Sequence, residues 1–215
     1  MKSIFGMTLE EMQAEFSAQN LEKYRAKQVA EWLYKKFAKS FSDMTNLPKD
    51  LRAALGAKYR IEMPTLRTRL ESADGRTSKF LLVFPDGASV ESVLMRQPYG
   101  NSICISTQAG CNMGCAFCAS TLHGLARNLT AGEMLAEVLF IEEMLRLQGE
   151  KVDTMVLMGS GEPLMNYENV VDFLRLLHEK YVLNISYRSI TLSTSGIVPA
   201  IDRLAEEGMP LTLSI

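Results

Sequence analysis

Apolar and polar positions recur with different periods along this chain, and the change of period divides it. In the first 60 residues the spacing is helical. Val29, Trp32, Leu33 and Phe37 form one apolar stripe on a helix expected over 22–38, with Lys23, Arg25, Lys27, Lys35, Lys36 and Lys39 as its polar remainder. Thr8-Leu9-Glu10-Glu11 has the capping-box pattern and opens an earlier helix reaching about Gln19. Pro48 suits the first turn of a third helix ending near Tyr59. Three short helices make a small bundle without room for a deep active site.

Residues 64–98 change character. Short runs around 67–72, 79–84 and 89–95 are separated by Asp74-Gly75 and Asp86-Gly87, which are hairpin signals. The pattern predicts a β-meander linking the helices to the main domain. From residue 103 the rhythm becomes strand–helix–strand. Strands are expected at 103–107, 152–158, 189–193 and from 210, with helices at 130–147, 167–180 and 198–207. Strands apolar on both faces and separated by helices predict a parallel sheet covered on both sides. The fold class is therefore α/β, in three parts: 1–62, 63–98 and 99–215.

Composition changes this picture little. Of 215 residues, 47% are hydrophobic and 22% charged, which is ordinary for a globular protein and excludes disordered, collagen-like and coiled-coil classes. No apolar run reaches the length of a membrane span, and the N-terminus lacks the apolar stretch of a signal peptide, so the expected compartment is cytoplasmic with no membrane partner. Charge adds more. Residues 21–60 hold ten Lys and Arg against four Asp and Glu, whereas residues 101–215 hold seven against thirteen. A basic block beside an acidic domain fits either a polyanion-binding appendage or a solvated helix surface.

The four cysteines, Cys104, Cys111, Cys115 and Cys118, all fall within one short segment. A disulfide framework would spread its cysteines to staple distant loops, so the cluster reads as a metal site. Cys111-Asn-Met-Gly-Cys115-Ala-Phe-Cys118 places three thiols on one loop after a strand. Thiolates are the usual ligands of iron–sulfur clusters, and three would leave one iron of a [4Fe–4S] cube open to a small chelating ligand. Gly110 and Gly114 let such a loop curl. Zinc is the competing reading, with His123 or Cys104 as fourth ligand, although zinc ribbons usually carry two separated cysteine pairs.

The CxxxCxxC loop after the first strand of a β/α domain resembles the radical S-adenosylmethionine (SAM) superfamily. Cys104-Ile-Ser-Thr-Gln-Ala-Gly-Cys111, Cys118-Ala-Ser-Thr, Gly124-Leu-Ala-Arg-Asn128-Leu-Thr, Gly161-Glu162-Pro163 and Ser193-Thr-Ser-Gly196 resemble, in order, the RlmN family. That resemblance implies a partial radical-SAM (β/α) barrel preceded by a helical accessory domain and a β-hairpin linker. It implies a methyltransferase acting on carbon 2 of an adenine in 23S rRNA and in tRNA. The sister Cfr-like enzymes, which methylate carbon 8 of the same adenine, are the close alternative.

By the same resemblance Cys111, Cys115 and Cys118 ligate a [4Fe–4S] cluster, and S-adenosyl-L-methionine chelates its open iron. Electron transfer, from a reducing electron-transfer protein, then cleaves it to a 5′-deoxyadenosyl radical. Gly161, Glu162 and Ser193 contact S-adenosylmethionine, Glu162 by accepting from its ammonium. Cys104 acts as a base in resolving a covalent enzyme–RNA intermediate, and Glu91 is a candidate proton acceptor. Taken alone, Cys104 is a small buried strand residue and Glu91 an exposed strand carboxylate. The basic 21–60 region becomes an RNA-contacting surface for backbone phosphates.

The sequence departs from the family in one respect. The mechanism needs a later cysteine that carries the methyl group, and no cysteine follows Cys118. Four of six barrel strands are accounted for. The expectation is a chain that holds the cluster but does not complete methyl transfer. Two readings from other classes remain at this level, an RNA-binding module with structural zinc and a radical enzyme with a small-molecule substrate.

Overall fold

Threonines open two of the helices. Thr8 accepts from the Glu11 amide at 3.1 Å while the Glu11 carboxylate accepts from the Thr8 amide at 2.7 Å. Thr130 and Glu133 repeat the arrangement. Each box satisfies amides that a helix start otherwise leaves unpaired. A computed structural model of the chain describes residues 1–215. The N-terminal segment comprises β1 (Lys2–Ser3), α1 (Leu9–Ser17), α2 (Lys23–Tyr34), α3 (Lys49–Lys58) and β2 (Tyr59–Arg60). The helix expected over 22–38 stops at Tyr34, and Phe37 beyond it sits at φ 54°, outside helical backbone. Strand β1 pairs in parallel with β2 and closes the segment on itself.

Next come β3 (Thr65–Glu71), β4 (Thr77–Val83), β5 (Ser89–Gln97) and β6 (Gly100–Cys104). A short hairpin follows, β7 (Gln108–Gly110) and β8 (Leu125–Asn128), then α4 (Ala131–Arg146), β9 (Thr154–Leu157), α5 (Tyr167–His178), β10 (Ile190–Ser193), α6 (Val198–Glu206) and β11 (Thr212–Ser214). Strands β6, β9, β10 and β11 are parallel, as the strand–helix rhythm requires. The meander is more than a linker. β3, β4 and β5 run antiparallel and join β6, so one seven-stranded sheet has the order β11-β10-β9-β6-β5-β4-β3.

Helix α4 covers one face of this sheet. Phe80 of β4 and Phe140 of α4 meet edge to face with centroids 5.9 Å apart. Phe80, Leu82, Leu94, Ile103 and Met155 are fully buried on this side, each contributing about 1.5–3 kcal/mol by leaving water. The helical segment shares the same core: its buried residues and those of the sheet and α4–α5 form one continuous apolar cluster. Polar ties reinforce the docking. The Tyr181 hydroxyl beyond α5 accepts from the Leu9 amide at 2.9 Å, and Lys39 pairs with Glu143 of α4. No helix is long and apolar enough to cross a membrane.

Candidate cluster and cofactor site

Loops at the C-terminal ends of parallel strands are the usual ligand side of such a sheet. Here a cavity of about 470 Å³ opens there. The three loop cysteines, Cys111, Cys115 and Cys118, line one side, and Gly161, Glu162 and Ser193 line the other. Six residues singled out in the sequence, spread over more than eighty positions, thus share one cavity. Cys104 and Glu91 do not line it.

The β7–β8 hairpin, absent from the sequence reading, carries the cysteine loop. The Cys111 amide donates to the Gly124 carbonyl at 3.2 Å, and Asn112 Oδ1 accepts from the Leu125 amide at 2.8 Å. The two ends approach so closely that a Cβ on Gly110, at φ 80°, would sit 2.0 Å from the Gly124 oxygen. Beyond this anchor the loop faces solvent. Cys111 is buried and Cys115 and Cys118 are half-buried, and Phe117 beside them is 93% exposed.

The opposite wall is tightly tied. Glu162 is buried, and its carboxylate accepts from the Leu164 amide at 3.0 Å, the Thr194 hydroxyl at 2.7 Å and the Ser195 amide at 2.7 Å. It therefore binds the loop after β9 to the loop after β10, with limited acceptor capacity left for a ligand. The Glu162 amide donates to Gln108 Oε1 at 2.8 Å, and Gln108 Nε2 donates to Asn128 Oδ1 at 2.7 Å. Gly161 sits at φ 105°, and a Cβ there would lie 2.6 Å from Gln108 Cβ. Its glycine is required by this contact as well as by its backbone angle. Gln108, Thr194 and Ser195 lie inside the quoted motifs but carry no assigned role there: Gln108 and Thr194 are buried by hydrogen bonding, which has no periodic signature, and Ser195 takes part through its backbone amide.

Cys104 ends β6 on the face of the sheet opposite α4. Its cross-strand partners are Val93 and Val156. Burial pushes its thiol pKa up, opposed by a hydrogen bond from the Met158 amide. Met158 itself lines the cavity, so Cys104 stands one residue behind the cavity wall. Glu91, two residues from Val93, shares the Cys104 face by strand alternation. Its carboxylate is exposed and paired with Lys79 Nζ at 2.6 Å. His123 is exposed. His178 stacks on Tyr187 at 4.4 Å and contacts the Ile185 carbonyl through Nδ1 at 2.9 Å, a structural role.

The donor set bears on which metal fits. No three His, Cys, Asp or Glu side chains converge on a point where one ion would sit. A structural zinc needs four donors at about 2.0–2.3 Å from one centre. The three free thiols instead line one wall of a cavity of about 470 Å³, wide enough for a body several atoms across, with Gly161, Glu162 and Ser193 also in its lining. That arrangement fits a cluster whose irons are each held by a different thiolate.

In the basic block, Lys36, Lys39 and Arg60 pair with Glu31, Glu143 and Glu62. The remaining cations, among them Lys23, Lys27, Lys35 and Lys49, have no carboxylate partner.

Comparison with known proteins bears on the chain as a whole. Residues 2–61 match the family model described as ribosomal RNA large subunit methyltransferase N-terminal domain, and residues 105–215 match the radical SAM superfamily. The chain is 50% identical over 210 residues to a probable dual-specificity RNA methyltransferase RlmN of Symbiobacterium thermophilum, covering 98% of this chain and 56% of the relative. A relative of the same description from Clostridium perfringens is 49% identical, with 100% of this chain and 61% of that protein covered. The crystal structure of a radical SAM methyltransferase from Sphaerobacter thermophilus superposes with a TM-score of 0.93 at 41% identity, covering 99% of this chain and 62% of that one. The chain therefore spans about three fifths of the length of these relatives. With the superfamily model matching more than half of the chain, the protein belongs to the radical SAM superfamily, and along nearly all of its length it is similar to RlmN-type methyltransferases.

Proposed function

We propose that residues 1–215 form the cluster- and cofactor-binding portion of a cytoplasmic radical SAM methyltransferase that modifies carbon 2 of an adenine in 23S rRNA and tRNA. The observation that carries this reading is the shared cavity: three thiols on one wall, Gly161, Glu162 and Ser193 on the other. When bound, the [4Fe–4S] cluster supplies the electron that cleaves S-adenosylmethionine, after its own reduction by an electron-transfer protein.

The chain's own residues have separable tasks. Cys111, Cys115 and Cys118 hold three irons and leave one for the amino acid end of S-adenosylmethionine. Gly161 lets backbone approach that ligand. Glu162 acts mainly through the protein, holding the Thr194–Ser195 loop against the cavity so that Ser193 keeps its place. This narrows the expected direct contact between Glu162 and the ammonium to whatever lone pair its three protein donors leave free. Glu91 and Cys104, on one face of β5 and β6, are the candidate proton acceptor and base. The unpaired cations of the N-terminal segment contact RNA phosphates, and this predicts binding that weakens steeply with salt.

Anaerobic reconstitution with iron and sulfide tests the reading. About four irons and matching sulfide per chain are expected. Stoichiometric zinc, with no iron retained by folded protein, contradicts it.

A further inference from the structure

Glu137 lies on the inner face of α4 among Met134, Leu135, Val138 and Ile141, all buried, and it is itself fully buried. Its Oε2 accepts from the Ser92 hydroxyl of β5 at 2.6 Å and from the Ser106 amide beyond β6 at 3.1 Å, while Oε1 has no hydrogen-bond partner. A buried carboxyl with an unpaired oxygen costs stability, and a leucine would fill this apolar position better. Folding alone does not account for the residue.

Its contacts lead to the cavity. Ser106 Oγ donates to the Glu91 carbonyl at 2.8 Å and accepts from the Ser160 amide at 3.0 Å. The Ser160 carbonyl takes the amides of Thr107 at 2.9 Å and Gln108 at 3.1 Å. Gln108 takes the Glu162 amide, and Glu162 holds Thr194 and Ser195. One unbroken chain of hydrogen bonds thus runs from Glu137 to both loops that wall the cavity, with a branch to the backbone of Glu91.

We infer that Glu137 is a positioning residue: through Ser106 it fixes β5 and the loops after β9 and β10 in one register, and so sets the cofactor wall relative to Glu91. The inference rests on the reading of this cavity as the S-adenosylmethionine site. Burial pushes the Glu137 carboxyl up to about 8, so at neutral pH it is mostly a neutral acid. Glutamine has nearly the same shape and keeps the acceptor that Ser92 and Ser106 use. Leucine removes the acceptor and fills the space.

The test compares Glu137→Gln and Glu137→Leu. In the chain without cluster, amide hydrogen exchange at Ser106, Ser160, Glu162 and Ser195 is expected to speed up about tenfold in Glu137→Leu, the scale of one lost hydrogen bond. Exchange elsewhere and the melting temperature stay level, or the latter rises, and Glu137→Gln resembles the parent. After reconstitution, the Kd for S-adenosylmethionine weakens by a similar factor in the leucine variant alone. The inference is overturned if those four amides keep their parent protection in Glu137→Leu. It is equally overturned if exchange rises throughout and the melting temperature falls, which marks a merely structural residue, or if glutamine fails as leucine does. Where the four amides respond as expected but even the parent binds no S-adenosylmethionine, the register role is supported and the assignment of the ligand fails.

Discussion

The two walls of the cavity are built by opposite means. The wall after β9 and β10 is cross-linked: Glu162 takes three donors, and Asn166 Nδ2 donates to the carbonyls of Thr107 at 2.8 Å and Leu129 at 2.7 Å. The cysteine wall is anchored at its base by Gly110, Cys111, Asn112 and Gly124, while Met113 and Phe117 face water. The protein shapes one wall with its own hydrogen bonds. On the proposed function the other carries the cluster ligands, whose final arrangement comes from what they bind, since metal binding and local folding are coupled. A side chain on the first wall therefore acts on both stability and binding, and a cysteine on the second acts chiefly on binding.

The sharpest way to break this comparison is to remove the ligands. Replacing Cys111, Cys115 or Cys118 by alanine is expected to take the iron content from about four per chain to near zero. The same change alters the stability of cluster-free chain by about 1 kcal/mol or less, roughly 2–4 °C in melting temperature. Iron analysis and thermal unfolding check both halves, and a large loss of stability would show that the cysteine loop is as tightly built as its counterpart.

On the tied wall the opposite pattern is expected. Gly161→Ala would place a Cβ 2.6 Å from Gln108 Cβ at a backbone angle of φ 105°, costing about 1–3 kcal/mol in denaturant unfolding. Gly114→Ala on the cysteine loop meets no atom within 4 Å, so only its φ of 71° opposes it, at about 1–2 kcal/mol. Equal losses at the two sites would erase the distinction.

The pH dependence of stability sharpens it further. Glu137 has a folded pKa near 8 against 4.5 for the free side chain. The folded protein then binds more protons than the unfolded chain between these values. Its contribution is complete below the unfolded pKa and is lost as pH rises through about 8. Glu137→Gln removes this part of the slope, and unfolding curves from pH 5 to pH 9 measure it. The smallest effect is expected at the surface: Asp86→Asn breaks the 2.6 Å pair with Arg127, which still holds Glu133 at 2.7 Å, so the loss is about 0.2–1 kcal/mol.

Much of the fold was legible in the sequence because it rests on local physics. The capping box at Thr8 and the strand–helix rhythm from residue 130 onward locate their elements within about two residues, whereas the strand expected at 103–107 lies at Gly100–Cys104. The meander was recognised from its two Asp-Gly turns, yet its membership in the main sheet was not, because strand pairing is set by packing on Phe140 and α4 rather than by local pattern. The β7–β8 hairpin was missed for a similar reason: strands of three and four residues carry too few side chains to show a period. At the site, the cysteine spacing and the Gly161-Glu162 pair named residues that share one cavity. The protein-facing work of Glu162 and the buried Glu137 stayed hidden, since a carboxylate satisfied by backbone amides looks in sequence like any other acid.

The most direct test of the central claim, that the cavity holds a cluster with one iron open to S-adenosylmethionine, is the electron paramagnetic resonance spectrum of the reduced, reconstituted chain with and without S-adenosylmethionine. The account predicts a reduced-cluster signal that shifts on adding the ligand and fails to shift once Gly161 is replaced by alanine. A cluster signal indifferent to S-adenosylmethionine in the parent chain would contradict it.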